Sequence, residues 1–195
     1  MLAKSDEQDL CRFSMKGRSD QYVSELADQY GRMVFATAHR ILDNTHDAED
    51  VLQQVFLKLF RTWGSKIKPE VIRDWGAYLR TMATRTALDL LRAKKQRRWR
   101  EMPLDEDDPP KELMSSGASA IEEKMDRLRQ ALAALPERDA QVFTMRYLGE
   151  FSYEAIATQM GLSINLVGVI LHRARKTLRE IFEHIDAQEK SGKLC

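Results

Sequence analysis

The spacing of apolar residues constrains this chain more than any other feature. In nearly every long segment, apolar side chains recur three or four residues apart, and no segment shows sustained alternation of period two. This spacing places apolar residues on one stripe of an α-helix and argues against half-buried strands. Only five prolines and nine glycines interrupt the 195 residues. The sequence therefore predicts an all-α protein.

Two helical segments are separated by a stretch with a different composition. Residues 101–120 are acidic and contain Pro103, Pro109 and Pro110, so this stretch is typical of a flexible linker rather than a packed element. We therefore expect two small helical domains, at residues 15–100 and 121–185. The first is expected to be a helical bundle, and the second contains the helix-turn-helix described below.

Capping residues and breakers divide the first domain into three expected helices. The first is expected to begin at Ser19 or Asp20 and to end at the breaker 43–45. The second should end at Gly64, and Asp74 should cap the third after the loop 65–73. The apolar residues expected to face inward on the first two helices include Tyr22, Phe60 and Trp63.

Charge is strongly segregated although the formal net charge is only +1. Residues 85–100 contain seven basic residues and one acidic residue, whereas residues 101–112 contain six acidic residues and one basic residue. A basic block beside an acidic one indicates a site for a polyanion next to a solvated linker.

Several classes of protein do not fit this sequence. No apolar run reaches the roughly 20 residues that cross a bilayer, and the first residues lack the apolar stretch of a signal peptide, so we expect a cytoplasmic protein. Cys11 and Cys195 stand near opposite ends, without a CxxC motif, so we expect neither a disulfide scaffold nor structural zinc.

A metal-dependent enzyme is the main alternative from another class. His46 and Asp47 form the dipeptide found in helical phosphohydrolases, and His39 lies seven residues earlier. The breaker 43–45 puts the two histidines on different helices, and the remaining pair, His172 and His184, lies in the C-terminal domain, so the spacing does not favour one metal cluster. We expect no enzyme activity, no catalytic residue, no metal and no cofactor.

A helix-turn-helix is predicted in the C-terminal domain. Ser152 can cap a short helix, Gly161 suits the tight turn, and Ser163 can cap the following helix. Basic residues follow on the second helix, which favours binding to DNA. A three-helix core without a DNA-binding role would produce similar spacing, so this motif alone leaves both interpretations open.

The motifs together resemble those of the extracytoplasmic-function (ECF) sigma factors of bacterial RNA polymerase, in the sigma-70 family. The segments 134–146, 151–157 and 172–179 resemble the fourth sigma region. The segment 47–60 is similar to the core-binding helix of the second sigma region. Parts of 78–92 resemble the helix that meets the promoter element nearer the transcription start site. The two motif sets occur in the order found in the family, with a linker between them.

The resemblance implies a transcription initiation factor that attaches to core RNA polymerase, recognises the −10 and −35 promoter elements and melts the −10 element. The implied partners are the beta-prime clamp helices, the beta flap, promoter DNA and an anti-sigma factor that is often tethered to the inner membrane, with no small-molecule substrate. The residues expected to bind core polymerase are Asp47, Asp50, Gln53, Gln54 and Lys58. Those expected at the −10 element are Trp75, Tyr78, Arg80, Arg85, Arg92, Lys94 and Lys95, and the last two belong to a run expected to be unpaired. Those expected at the −35 element are Ser163, Asn165, His172, Arg173, Arg175 and Lys176.

The sequence departs from the family pattern in its recognition helix. Where many members have Thr-Val-Lys-Ser-Arg-Leu, this chain has the apolar run 166–171, with Gly168 inside it and Val169 expected to point outward. Base contacts must then come from neighbouring polar residues or from apolar contact with thymine methyl groups. Arg85 also stands at a position where asparagine is common in the family.

A stand-alone helix-turn-helix regulator is the nearer alternative function, but it gives no role to the segment 47–60.

Overall fold

The computed structural model describes residues 4–63, 71–101 and 120–192. These ranges contain seven helices and no strand, which confirms the all-α prediction. The predicted helix end at Gly64, most of the loop 65–73 and nearly all of the linker lie outside the described residues. The helices are α1 (Lys4–Leu42), α2 (Thr45–Thr62), α3 (Trp75–Glu101), α4 (Ala120–Ala134), α5 (Glu137–Tyr147), α6 (Tyr153–Met160) and α7 (Ile164–Gly192).

The first helix is longer than the sequence suggested. It begins at Lys4, so the expected start at Ser19 or Asp20 is wrong. Good capping residues are also tolerated inside a helix, and no proline stops the helix upstream of them. The predicted break at 43–45 is confirmed: α1 ends at Leu42, Asp43 has φ 53°, and Asn44 Oδ1 accepts a hydrogen bond from the backbone N–H of Asp47 at 3.0 Å.

Helices α1 and α2 pack against each other through a fully buried stripe. Two residues expected to face inward do not: Tyr22 is 55% exposed and Phe60 is 39% exposed. Tyr22 lies level with the end of α2, where the ring of Trp63 covers part of it, and Phe60 lies about 100° round the helix from buried Leu59. The stripe contains Val34, Ala38, Ile41, Ala48, Val51, Val55 and Leu59.

Helix α3 begins as predicted. Asp74 Oδ1 accepts a hydrogen bond from the backbone N–H of Ala77 at 2.8 Å, which satisfies a donor of the first turn. The start of α3 lies close to α1, since a Cβ on Gly76 would meet the ring of Tyr30 at 3.4 Å. The chain divides into two compact units, and their boundary falls inside α3, after Thr86.

The second unit includes α4 to α7, and α7 packs against each of the other three helices. The core side chains from these helices are almost fully buried, and they fix the helix-turn-helix in place. They include Leu132, Val142, Met145, Ile156, Val167, Ile170 and Leu171.

The predicted helix-turn-helix is confirmed at each of its local signals. Ser152 Oγ accepts a hydrogen bond from the N–H of Ala155 at 3.1 Å, and Ser163 Oγ accepts one from Leu166 at 3.3 Å. Between them, Gly161 adopts the left-handed conformation with φ 63° and ψ 41° at the end of α6. A side chain at this position would be strained, which explains the glycine.

Arg146 holds the loop between α5 and α6. Its Nη1 donates a hydrogen bond to the carbonyl of Phe151 at 2.9 Å, and its guanidinium carbon lies 5.4 Å from the ring centre of Tyr153. Gly149 leaves no room for a side chain in this loop, because a Cβ would lie 2.9 Å from the carbonyl oxygen of Met145 and 2.9 Å from the ring of Phe151.

The described ranges were compared with the requirements of a membrane-spanning helix and of a metal cluster. Within these ranges, no single helix is both long and apolar enough to cross a bilayer, and α6 with the first part of α7 meets that criterion only as a pair bent by 101°. The same residues contain no group of three or more His, Cys, Asp or Glu side chains that could hold a metal ion.

Candidate nucleic-acid interface

The first turns of α7 expose a face that combines apolar and polar side chains. Val167, Ile170 and Leu171 are buried against the other helices, so the opposite side of α7 faces solvent. Val169 is 58% exposed in the middle of that side. Asn165 and His172 lie at positions i−4 and i+3 from it, and both are exposed.

Basic side chains continue this face along α7. His172, Arg175, Lys176 and Arg179 line one open groove, because residues spaced by three and four share a side of the helix. Lys176 lies 3.9 Å from Glu180, and both side chains are exposed, so this pair neutralises the positive charge only weakly. The groove is therefore suited to a polyanion such as a phosphate backbone.

Arg173 is fixed by a buried carboxylate from another helix. Its Nε and Nη2 donate hydrogen bonds to the two oxygens of Asp139 at 2.7 and 2.5 Å. The Asp139 side chain is 2% exposed, whereas that of Arg173 is 58% exposed. The hydrogen bonds to Asp139 raise the pKa of Arg173, so the guanidinium stays charged. This pair joins α5 to the exposed face of α7 across 34 positions of sequence.

The residues predicted for the −35 element are all exposed on α7 or at its cap: Ser163, Asn165, His172, Arg173, Arg175 and Lys176. The structure therefore brings them to one helix, but it gives two of them structural partners. Ser163 caps α7, and Arg173 binds Asp139. No sequence signal pointed to the Asp139 contact, because a buried acid and its partner in another helix share no local pattern.

Four aromatic rings form a continuous row where α1, α2 and α3 meet. Tyr22 stacks on Trp63 with 6.0 Å between ring centres, Trp63 stacks on Trp75 at 5.7 Å, and Trp75 meets Tyr78 edge-on at 5.8 Å. Partial burial raises the pKa of Tyr78, so its hydroxyl stays protonated. Trp75 and Tyr78 were singled out from the sequence, whereas Tyr22 and Trp63 were assigned to the core and missed as members of this row.

The basic residues predicted for the −10 element lie along α3. Arg85 and Lys94 are exposed, while Arg80, Arg92 and Lys95 are partly buried. Arg92 forms an ion pair with Asp89 at 3.3 Å, as the spacing of three residues allows. Arg80, Arg85 and Lys94 also have interaction partners within the chain, so the expectation that Lys94 is unpaired is wrong. Several of these charges therefore act in local contacts as well.

The exposed face of α2 contains an apolar residue that the sequence analysis missed. Gln53, Gln54 and Lys58 are exposed, as predicted, whereas Asp47 and Asp50 are partly buried. Leu57 is 50% exposed in the centre of the same face, at positions i+4 from Gln53 and i+3 from Gln54. A face with an apolar centre and a polar surround is typical of a protein-binding surface. In the sequence, Leu57 could have been recognised because its position in the helical repeat lies outside the buried stripe of α2.

Two family models match the chain in separate places. The model for sigma-70 region 2 matches residues 26–98, and the model for sigma-70 region 4 matches residues 125–178. An RNA polymerase sigma-E factor of Streptomyces coelicolor is 30% identical over 163 residues, which cover 83% of this chain and 84% of the relative. The chain belongs to the ECF sigma factors of the sigma-70 family.

A second relative agrees with this membership, and a solved structure is similar in fold. The ECF RNA polymerase sigma factor SigE of Mycolicibacterium smegmatis is 29% identical over 157 residues, and the match spans 80% of this sigma factor but 60% of that relative. The structure of CnrH in complex with the cytosolic domain of CnrY matches with a TM-score of 0.50 and 16% identity, covering 87% of this chain and 96% of that one. The latter likeness concerns the fold.

The family matches cover both exposed faces of the sigma factor. The region 2 match contains α2 and the basic residues of α3 through Arg98. The region 4 match contains the helix-turn-helix and α7 through Leu178. ECF sigma factors are transcription initiation factors, which accounts for a chain with two separate polar faces.

Proposed function

We propose that this sigma factor binds core RNA polymerase with its first domain and directs it to promoters that both domains recognise. The proposed domains are residues 15–100 and 121–185, joined by a linker at 101–120. The matches to region 2 and region 4 fall within these boundaries and support them. The observation that carries the proposal is that both regions occur in one chain in the family order.

The face of α2 is proposed to bind the beta-prime clamp helices. Leu57 provides an apolar anchor, and Gln53 and Gln54 beside it provide hydrogen-bonding groups. Such a centre and surround suit a helical partner, because the anchor is desolvated while the polar groups fix its register. Asp47, Asp50 and Lys58 extend this surface, and the second domain is proposed to contact the beta flap.

The start of α3 is proposed to meet the −10 element. Trp75 and Tyr78 offer aromatic surface on which unpaired bases can stack. The proposed phosphate contacts follow on the same helix, because basic side chains neutralise a nucleic-acid backbone. They are Arg80, Arg85, Arg92, Lys94 and Lys95.

The exposed face of α7 is proposed to recognise the −35 element in the major groove. Asn165 and His172 have hydrogen-bonding groups that can reach base edges, while Arg175 and Lys176 are placed for the phosphate backbone. Arg173 can donate from the nitrogen that Asp139 does not engage. Ser163 is proposed to contact DNA at the N-terminus of α7, where its hydroxyl also caps the helix.

An anti-sigma factor is proposed to control this activity in the cytoplasm, with the complex held at the inner membrane. The family membership supports such an inhibitor, and the exposed apolar side chains on α2 and α7 offer surface that it can cover. The inhibitor would compete with polymerase and DNA for the same faces.

The experiment that tests the function is size-exclusion chromatography of the full chain with bacterial core RNA polymerase, followed by run-off transcription from genomic fragments. We expect co-elution, and transcripts with new start sites only when both the sigma factor and core polymerase are present. Core polymerase alone is the control. If the chain does not co-elute but binds duplex DNA tightly and specifically by itself, it is a stand-alone regulator and the proposal is wrong.

A further inference from the structure

Val169 is an apolar side chain surrounded by polar and basic ones. It is more exposed, at 58%, than the other exposed apolar residues of α7, Ile164 at 48% and Leu166 at 37%. Three of the four residues at positions i±3 and i±4 from it are Asn165, His172 and Arg173, and all three are exposed. The fourth is Leu166. Val169 thus lies in the middle of a face whose other groups can bind DNA.

The charge around Val169 indicates which kind of partner covers it. The face continues into the groove lined by His172, Arg175, Lys176 and Arg179. A run of positive groups on one side of a helix complements a phosphate backbone. An apolar residue next to these groups would therefore come close to nucleic-acid bases when the phosphates are bound.

The chemistry of valine restricts which base feature it can recognise. Its side chain has no hydrogen-bond donor or acceptor, and in the major groove the distinctive apolar group is the 5-methyl of thymine. We propose that Val169 contacts the methyl group of a thymine in the upstream promoter element, an inference that rests on the proposed function of α7.

The test is a double-mutant cycle between protein and DNA. Holoenzyme made from the full chain and core polymerase first selects duplexes from a library with a randomised upstream element. The selected duplex is then synthesised with each of its thymines in turn replaced by deoxyuridine, which removes only the methyl group. At one position we expect deoxyuridine to weaken binding about three- to fourfold, as expected for one buried methyl group. The variant Val169→Ala should lose a similar factor on the thymine duplex and no further factor on the deoxyuridine duplex.

A matched control separates this contact from a general effect on the helix. Ile164→Ala also shortens an exposed apolar side chain, but Ile164 lies about 140° round α7 from Val169. It should leave the effect of deoxyuridine unchanged. Val169→Thr keeps the shape of valine and replaces one methyl with a hydroxyl, so it should bind with intermediate affinity.

Several results would overturn the inference. The selected upstream element could contain no thymine, or every deoxyuridine duplex could bind as well as the parent duplex. The affinity losses from Val169→Ala and from deoxyuridine could also combine as independent factors, which would mean that the two groups do not touch. If Val169→Ala binds both duplexes like the native chain, the side chain belongs to a protein-binding surface instead. In these cases the proposed function still stands. If the holoenzyme selects no sequence at all, the proposed function fails and the inference fails with it.

Discussion

Replacing Gly168 with alanine tests the position of the recognition helix through stability alone. Gly168 lies inside α7, where glycine costs about 0.8–1.0 kcal/mol relative to alanine. A Cβ added there would meet its nearest neighbour, Tyr153 Cε2, at 3.9 Å, which is ordinary van der Waals contact. We therefore expect Gly168→Ala to stabilise the second unit by about 1 kcal/mol. For a domain of roughly 60–100 residues this raises Tm by about 4–8 °C.

The assay is thermal unfolding of the full chain followed by far-ultraviolet circular dichroism, with hydrogen exchange of the α7 amides as a local measure. Trp63 and Trp75 lie in the first unit and Trp99 lies in the second, so in a Trp99→Phe background tryptophan fluorescence follows the first unit and should show an unchanged transition. Slower exchange in α7 with unchanged fluorescence would locate the gain where we expect it.

Two other glycines provide matched controls for this substitution. Gly161→Ala should destabilise by about 1–2 kcal/mol, because Gly161 has φ 63° even though nothing lies within 4 Å of the added Cβ. Gly149→Ala should destabilise by about 1–3 kcal/mol through the contacts at 2.9 Å with Met145 and Phe151. A loss of stability in Gly168→Ala, or equal effects in all three variants, would refute the helix placement and its reasoning.

Four more substitutions test other parts of the chain. Gly168→Lys should strengthen promoter binding by holoenzyme. It should also steepen the slope of log K against log salt by about 0.9, as expected for one additional phosphate contact. Unchanged affinity in a salt titration would count against the placement of this residue on the DNA-facing side. Leu57→Asp should weaken binding to core polymerase about tenfold or more without loss of helicity, and native affinity in a competition assay would remove Leu57 from the proposed interface. Thr144→Val should leave stability unchanged or raise it by up to about 1 kcal/mol in urea unfolding, because its buried Oγ1 has no partner among the described residues, and a clear loss would reveal a hydrogen bond there. The pKa of Glu154 is lowered by hydrogen bonds from the backbone N–H of Glu154 and from Ser152, so the contribution of this carboxylate to stability is present at neutral pH and is lost as acid protonates it. Glu154→Gln should therefore flatten the fall of the urea midpoint in acid. Identical profiles for the two proteins would contradict this.

Local signals in the sequence were sufficient for most of the fold. Asp74, Ser152 and Ser163 each cap a helix as predicted, and Gly161 takes the left-handed turn, because caps and turns depend on residues a few positions apart. The exception was the start of α1. A cap permits a helix to begin but does not require it, so Ser19 and Asp20 could not fix that end.

Contacts between helices were not predictable in the same way. The bond between Asp139 and Arg173 spans 34 positions, and neither residue departs from its local helical pattern. Tyr22 and Phe60 were assigned from spacing alone, but their exposure depends on where the neighbouring helix ends and on which side of α2 is covered. The contributions of individual residues to the proposed interfaces therefore became visible only with the helices in place.

The stacked rings of Trp63 and Trp75 give the protein an intrinsic optical label. Their centres lie 5.7 Å apart with 13° between the planes, so their electronic transitions couple and should produce a signed near-ultraviolet circular dichroism band. The pair joins the end of α2 to the start of α3, next to the residues proposed to meet unpaired bases. Insertion of a base, or a shift of α3 against α2, would change the coupling. Promoter opening by this sigma factor could thus be followed in solution without attaching any dye.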